Sequence, residues 1–257
     1  MGVLAQLFGR LPTAIAPLPE VLGERTLARV EHVGLRYGDV RALDGVGFGL
    51  RPAELVFLVG PTGAGKSSLL KVLSGIVRPT SGEVWVDGIA LHKGGHRQAG
   101  GLRRRIGVVP QEDLLVPKRT VLENVALALE LADFRLPRSQ ALARAEEQLR
   151  TAGLMRRARA YPSELSAGER RRLAVGRAVV RRPKLVLADE PTGNLDPERS
   201  AGVVELLAAA ARDGAAVLVA THTRELARGH PARILEIRHG RLVADQEQRG
   251  RRLWLVR

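Results

Sequence analysis

Apolar residues are distributed along this chain in two rhythms, and the rhythms separate its elements. Leu55-Val56-Phe57-Leu58-Val59 is an unbroken apolar run of strand-forming residues, and Leu185-Val186-Leu187-Ala188 and Val217-Leu218-Val219 repeat the pattern. A strand with one wet face alternates apolar and polar side chains, whereas a strand covered on both faces is apolar throughout. The three runs therefore predict buried parallel strands with helices on either side. Residues 28–90 read as short strands, with Thr80-Ser81-Gly82 as a turn, and residues 94–104 read as a basic loop or helix. From Thr120 to about Tyr161 the pattern changes to Ala, Leu, Glu and Arg at helical spacing, broken at Pro137. Strands and helices then alternate to about Ala244. The expected fold class is α/β, with a mixed, mostly parallel sheet and an inserted helical subdomain over about residues 112–165.

Chemistry enters at the ends of the apolar runs. The first is followed by Gly60-Pro61-Thr62-Gly63-Ala64-Gly65-Lys66-Ser67, which fits G-x-x-x-x-G-K-[S/T], and then by Ser68-Leu69-Leu70-Lys71-Val72-Leu73, which reads as a helix. Strand, glycine-rich loop and helix in that order make a phosphate-binding loop, which a chance glycine turn would not reproduce. The backbone N–H groups and the helix N-terminus face an anion. Lys66 would reach the β- and γ-phosphates, and the Ser67 hydroxyl would ligate Mg²⁺. The second run ends in Asp189-Glu190. Neighbouring residues of a strand point to opposite faces, so two adjacent acids can take different tasks. Asp189 would hold Mg²⁺ through water, and Glu190 would act as the general base on the attacking water. Alone, the pair would equally read as an exposed acidic turn before Pro191.

Composition narrows the classes. The 257 residues are 45% hydrophobic, enough for one α/β domain with a core, and contain no cysteine, which excludes disulfides and thiol chemistry. No apolar run approaches the roughly 20 residues that span a bilayer, and the first residues lack the basic region of a secretory signal. Any membrane component is therefore expected on another chain. The net charge is +14. Five basic residues are Lys (Lys66, Lys71, Lys93, Lys118, Lys184), so 41 − 5 = 36 are Arg, spread along the sequence. With aromatics at 3% there is no interleaved stacking pattern, and no specific nucleic acid is expected. Arg spread through an Ala- and Gly-rich chain fits a GC-rich coding bias, and attraction to an anionic membrane surface accounts for the charge better than DNA binding does. Residues 1–27 carry Pro12, Pro17 and Pro19, with Leu4, Leu7, Phe8 and Leu11 at helical spacing, and read as an extension. Residues 28–245 form the expected domain, and 246–257 form a basic tail containing Leu253-Trp254-Leu255-Val256. There are no internal repeats.

Between the loop and the acidic pair lies Leu165-Ser166-Ala167-Gly168-Glu169, followed by Arg170-Arg171-Arg172-Leu173-Ala174-Val175-Gly176-Arg177-Ala178. This resembles L-S-G-G-[Q/E] before an Arg-rich helix, the signature of ABC-type ATPases, and implies a P-loop NTPase of ABC type. Ser166 and Glu169 also have capping-box spacing. The resemblance implies that Ser166, Gly168 and Glu169 bind the γ-phosphate held by a second copy. Ala167 replaces the family's first Gly, and its amide still donates. Other landmarks follow in order. Tyr37 matches the aromatic that stacks on adenine, where a lone Tyr would otherwise read as core. Gln111 matches the Q-loop glutamine that contacts Mg²⁺ and faces the membrane partner. Pro191-Thr192-Gly193-Asn194-Leu195-Asp196 matches the D-loop, and His222 matches the switch histidine, with Thr223 where the family has Asp.

Within that family, Arg103-Arg104-Arg105-Ile106-Gly107-Val108, Arg119-Thr120-Val121-Leu122-Glu123-Asn124-Val125 and Arg78-Pro79-Thr80-Ser81-Gly82 resemble the FtsE cell-division ATPases. The run from Leu187 to Asp196 is shared with LolD-type lipoprotein-release and MacB-type export ATPases. Pro110, and Arg170-Arg171 in place of Gln-Gln, depart from the FtsE pattern. The resemblance implies a homodimer with two ATP molecules sandwiched head-to-tail, driving an FtsX-like membrane subunit that regulates cell-wall hydrolysis. The chain would then be cytoplasmic and peripheral on the inner face of the membrane. Lipoprotein release or efflux is the alternative. A soluble ABC protein is more distant, because such proteins carry coiled coils or two cassettes. Leu114-Leu115-Val116, just after Gln111, is the expected docking segment, with Leu115 as its anchor, where the same apolar run would otherwise read as ordinary local core.

Overall fold

A computed structural model describes residues 26–93, 100–102, 105–193 and 195–248. The loop expected at 94–104 lies mostly outside the described residues, as do residues 1–25, Asn194 and the tail from 249 onward.

The apolar runs become strands buried from both sides. β3 (Leu55–Val59) and β8 (Ala216–Thr221) are buried along their whole length, and β7 (Leu185–Asp189) is buried up to its last residue. Their side chains divide by parity between two cores. Leu55, Phe57, Val59, Val186, Ala188, Val217 and Val219 face one cluster, while Val56, Leu58, Leu185, Leu187, Leu218 and Ala220 face the other. That division explains why alternation is missing from the sequence: both pleat directions meet apolar neighbours.

Among the described residues the main sheet has six strands in the order β10-β9-β3-β8-β7-β6, with β6 (Ile106–Val109), β9 (Ala232–Arg238) and β10 (Arg241–Gln248) completing it. The five strands from β6 to β9 run parallel, and β10 pairs antiparallel with β9. A mixed, mostly parallel sheet is therefore present. A second, four-stranded antiparallel sheet has the order β2-β1-β4-β5, from β1 (Ala28–Tyr37), β2 (Val40–Leu50), β4 (Ser81–Val86) and β5 (Ile89–Ala90). Its inner residues Val30, Val33, Leu35, Leu43, Val46 and Phe48 close one face of the main sheet together with helix α1 (Lys66–Leu73). Helices α2 (Val121–Ala132), α3 (Arg138–Thr151), α4 (Ala167–Val179) and α5 (Pro197–Arg212) contribute to the core on the other face.

Local chemistry sets the boundaries of the helical insert. Thr120 caps α2 in a full capping box with Glu123, and that backbone hydrogen bond holds the Glu123 carboxyl below its ordinary range. Pro137 precedes α3 directly, because its ring cannot continue a helix from α2. Asn124 is fully buried and makes four bonds, to the N–H and C=O of Val116 and the C=O of Arg119 and Thr120. It pins the loop that leads from β6 into α2. Strand β10 continues to Gln248, past residue 245. Its last four residues are Asp, Gln, Glu and Gln. They are held by a backbone ladder to Ala232–Leu235, which needs no apolar side chains.

Candidate active site

The phosphate loop leaves the carboxyl end of β3 and enters α1 at Lys66. Gly65 supplies the turn in a left-handed conformation at φ 106°, and a Cβ there would lie 2.6 Å from the Ala42 carbonyl oxygen. Gly60 has no room either: its Cβ would meet the Ile237 carbonyl oxygen at 2.2 Å. Gly240 at the β9–β10 turn donates its N–H to Ala64, so neighbouring segments hold the loop from outside. The early N–H groups of α1 are those that a helix leaves without carbonyl partners, and they stand beside the loop. Lys66 is 6% exposed and donates to the Gly60 and Pro61 carbonyls at 2.8 and 3.1 Å. These carbonyls hold the ammonium inside the loop, where a phosphate would compete for it.

The acidic pair behaves as its position at a strand end requires. Asp189 accepts a hydrogen bond from the Ser67 side chain. Burial pushes its pKa above the ordinary carboxylate range, the Ser67 bond and Lys66 oppose this, and the neighbouring Glu190 charge adds to it. Glu190, just past the end of β7, has further partners. One oxygen lies 3.0 Å from Nδ1 of His222 at the end of β8, and the other 3.6 Å from the Lys66 ammonium. The Glu190 backbone has φ 43°, unusual for a residue with a Cβ. It is fixed by its N–H to Ala220 (2.9 Å) and by Gly193 and Arg171 donating to its carbonyl (3.1 and 3.3 Å). Lys66, Ser67, Asp189, Glu190 and His222 thus meet at the carboxyl ends of β3, β7 and β8, where parallel sheets place their sites.

A hard divalent cation would find suitable donors here. Oδ1 of Asp189 is buried with no hydrogen-bond partner, and the Ser67 hydroxyl is beside that carboxylate. Among the described residues no group of three or more His, Cys, Asp or Glu side chains converges, so an ion at this point would share oxygens with a bound phosphate.

Other sequence-derived residues are not brought to the loop by any hydrogen bond or ion pair among the described residues. Tyr37 is 44% exposed at the end of β1. The Gln111 side chain is exposed after β6. Ser166 caps α4, with Glu169 closing the capping box; the Ser166 N–H bond holds the Glu169 carboxyl below its ordinary range. Ala167 is not among the positive-φ residues, so its backbone lies in a region open to a residue with a Cβ. Ser166 and Glu169 lie at an exposed end, their bonds reaching each other and Arg157. A cleft of about 780 Å³ lined by Arg144, Gln148, Val180, Lys184 and Ala210 shares no residue with the loop or the acidic pair.

Two points differ from the sequence reading. Leu115, expected as a docking anchor, is partly buried against the core, and Leu114 is the exposed residue at 63%. Leu114 has φ 44°, and this turn exchanges the two side chains between inside and outside. In the sequence Arg171 reads as part of an Arg-rich helix and as a departure from the FtsE pattern. Its side chain is 8% exposed and donates to the carbonyls of Pro110, Gln111 and Glu190 at 2.8, 2.6 and 3.3 Å. Asp113 lies 3.3 Å away as its counter-charge.

With this geometry in place, comparison with known proteins is specific. Residues 43–193, more than half of the chain, match the family model "ABC transporter". The chain is 42% identical over 224 residues to the cell division ATP-binding protein FtsE of Mycobacterium tuberculosis, covering 86% of this chain and 96% of the relative. Escherichia coli K12 FtsE is 41% identical over 222 residues, covering 84% and 97%. The methionine import ATP-binding protein MetN of Mesorhizobium japonicum is 39% identical over 218 residues, 84% of this chain, and the match spans only 59% of that relative. Among solved structures, a dimeric bacterial ABC transporter cassette superposes with TM-score 0.79 at 33% identity, covering 87% of this chain and 99% of that one. A dimeric post-hydrolysis ATP-binding cassette with ADP and Pi gives 0.78 at 32% identity over the same shares.

Proposed function

This chain belongs to the ABC transporter family as an ATPase subunit, and from that premise we propose that it works as an FtsE-like motor for a membrane partner. The supporting observation for hydrolysis is the placement of Glu190, between the His222 ring and the Lys66 ammonium at the mouth of the phosphate loop. In the ATP-bound state Lys66 exchanges its two carbonyl partners for β- and γ-phosphate oxygens. Glu190 accepts the proton of the attacking water, and His222 holds that carboxylate in place. Ser67, Asp189 and Gln111 would hold Mg²⁺, whose charge offsets that of the phosphates. Tyr37 would stack on the adenine.

Ser166 and Ala167 are exposed at the start of α4, with Gly168 buried behind them and Glu169 bonded to Ser166 and Arg157. A second copy, related by a two-fold axis, would bring its Ser166, Gly168 and Glu169 over the γ-phosphate and close both sites together. The dimeric cassettes among the structural relatives support that arrangement. No helix among the described residues is long and apolar enough to cross a membrane. The membrane component would be a separate FtsX-like chain, keeping this subunit peripheral on the cytoplasmic face, with cell-wall hydrolysis as the output.

The FtsE match, which covers nearly the whole length of those relatives, favours this reading. The methionine-import relatives support a second, in which the same motor drives a transporter. The membrane protein recovered with the chain from its native host distinguishes the two.

Glu190→Gln tests the motor directly. The variant is expected to bind ATP, accumulate as an ATP-bound dimer by light scattering, and lose turnover by about 10²–10⁴-fold. Near-normal hydrolysis would remove Glu190 from the role.

A further inference from the structure

We propose that Arg171 is a positioning residue for hydrolysis, setting the Glu190 and Gln111 peptides in one fixed relation through three carbonyl hydrogen bonds. This rests on the reading of Glu190 as general base. The Arg171 side chain is nearly enclosed, at 8% exposure. Its donors reach the end of β6, at Pro110 and Gln111, and the end of β7, at Glu190. A guanidinium is suited to this because its five N–H donors lie in one rigid plane. Lysine carries a point charge and glutamine two donors, so neither reproduces the fork. The charge is not left alone, since Asp113 sits 3.3 Å away on the loop that follows Gln111.

The need for such a clamp is visible at Glu190. A residue with a Cβ at φ 43° persists only where its surroundings over-determine it. Three groups hold this peptide: the Ala220 carbonyl, the Gly193 N–H, and Arg171. The first two come from a neighbouring strand and from the turn itself. Arg171 comes from α4, five residues after Ser166, the residue offered to the second copy. It therefore carries a mechanical connection from the surface that touches one nucleotide to the base that acts on the other. Arg177, further along α4, holds the next stretch of the same loop through the Asp113 and Leu114 carbonyls. The loop after β6 is thus tied to α4 at two places.

The test is steady-state ATP hydrolysis by the purified full chain, with Arg171→Gln and Arg171→Lys made singly and each combined with Glu190→Gln. Misplacing a base by a fraction of its reach costs rate rather than nucleotide affinity, so kcat should fall about tenfold or more while KM for ATP changes less than about twofold. In the Glu190→Gln background the same Arg171 substitution should cost less than about twofold, because the group it positions is already gone. A purely structural role would lower both backgrounds equally. Equal losses in the two backgrounds, or an Arg171→Gln chain within about twofold of wild type, would overturn the proposal. Should Arg171→Gln fail to fold, Arg171→Lys retains the charge opposite Asp113 and is read by the same criteria. Should Glu190→Gln alone hydrolyse normally, the general-base reading fails first and this inference falls with it.

Discussion

Replacing Asp189 by Asn is expected to stabilise the nucleotide-free protein while abolishing its activity. Three observations set the sign. Oδ1 of Asp189 is buried without a hydrogen-bond partner, its carboxylate neighbours the Glu190 charge, and burial leads the causes that raise its pKa. The charged form is therefore less favourable folded than unfolded. For an acid whose folded pKa is raised, the favourable contribution is complete below the unfolded pKa and is lost as pH rises through the folded value. At neutral pH the carboxylate is a net cost, which Asn removes. An unpaired buried polar group costs about 1–3 kcal/mol, more when charged. Asp189 is only partly enclosed, its Ser67 bond is retained in part, and the attraction of Lys66 is lost, so the gain is set at about 1 kcal/mol. For a chain of this size that raises Tm by about 2–4 °C. Thermal unfolding without nucleotide or divalent cation measures it, and the difference should shrink as pH falls below the ordinary carboxylate range. Adding Mg²⁺ and ATP should reverse the order, because ligand linkage then favours wild type alone. A nucleotide-free Asp189→Asn protein that melts below wild type at neutral pH would refute the reasoning.

Two further outcomes follow from the composite site and from the loop after β6. Mixing a Lys66→Ala chain with a Ser166→Arg chain should restore ATPase activity absent from either alone, since the heterodimer keeps one intact site; a heterodimer that forms yet stays inactive counts against independent shared sites. Leu114→Glu should leave Tm unchanged and prevent co-purification with the membrane partner, whereas Leu115→Glu should lower Tm by burying a charge against the core. The reverse pattern would return the docking role to Leu115.

The sequence was most legible where chemistry and backbone rhythm coincide. The run at 55–59 reads as a strand because both its faces are covered, and the following glycines read as a loop because no other residue fits against Ala42 and Ile237. Adjacency predicted different partners for Asp189 and Glu190, but Glu190 lies just past β7 at φ 43°, so strand alternation does not set its direction. Arg171 was hidden for a physical reason. Its partners are carbonyl oxygens 60 and 61 residues upstream and 19 downstream, which every residue type supplies, and an Arg-rich helix face normally signals solvent. Leu114 and Leu115 were exchanged because a positive φ between apolar neighbours leaves no mark on composition. The antiparallel sheet was legible only as short strands, because its pairing of β1 with β2 shifts register three times.

The place of β3 in the sheet bears on how the protein is made. This strand carries the phosphate loop, and its two neighbours are β8 and β9: Val56 lies opposite Leu218 on one side and Arg233 on the other. During synthesis the loop leaves the ribosome early, but the strands that flank it come from the last fifth of the chain. Pairing across such separations is slow, since a long loop must close before any contact rewards it. The antiparallel sheet and the helical insert, built from closer segments, can form first. The nascent chain therefore carries an apolar strand without partners for most of its translation, and that edge is where chaperone protection would matter most.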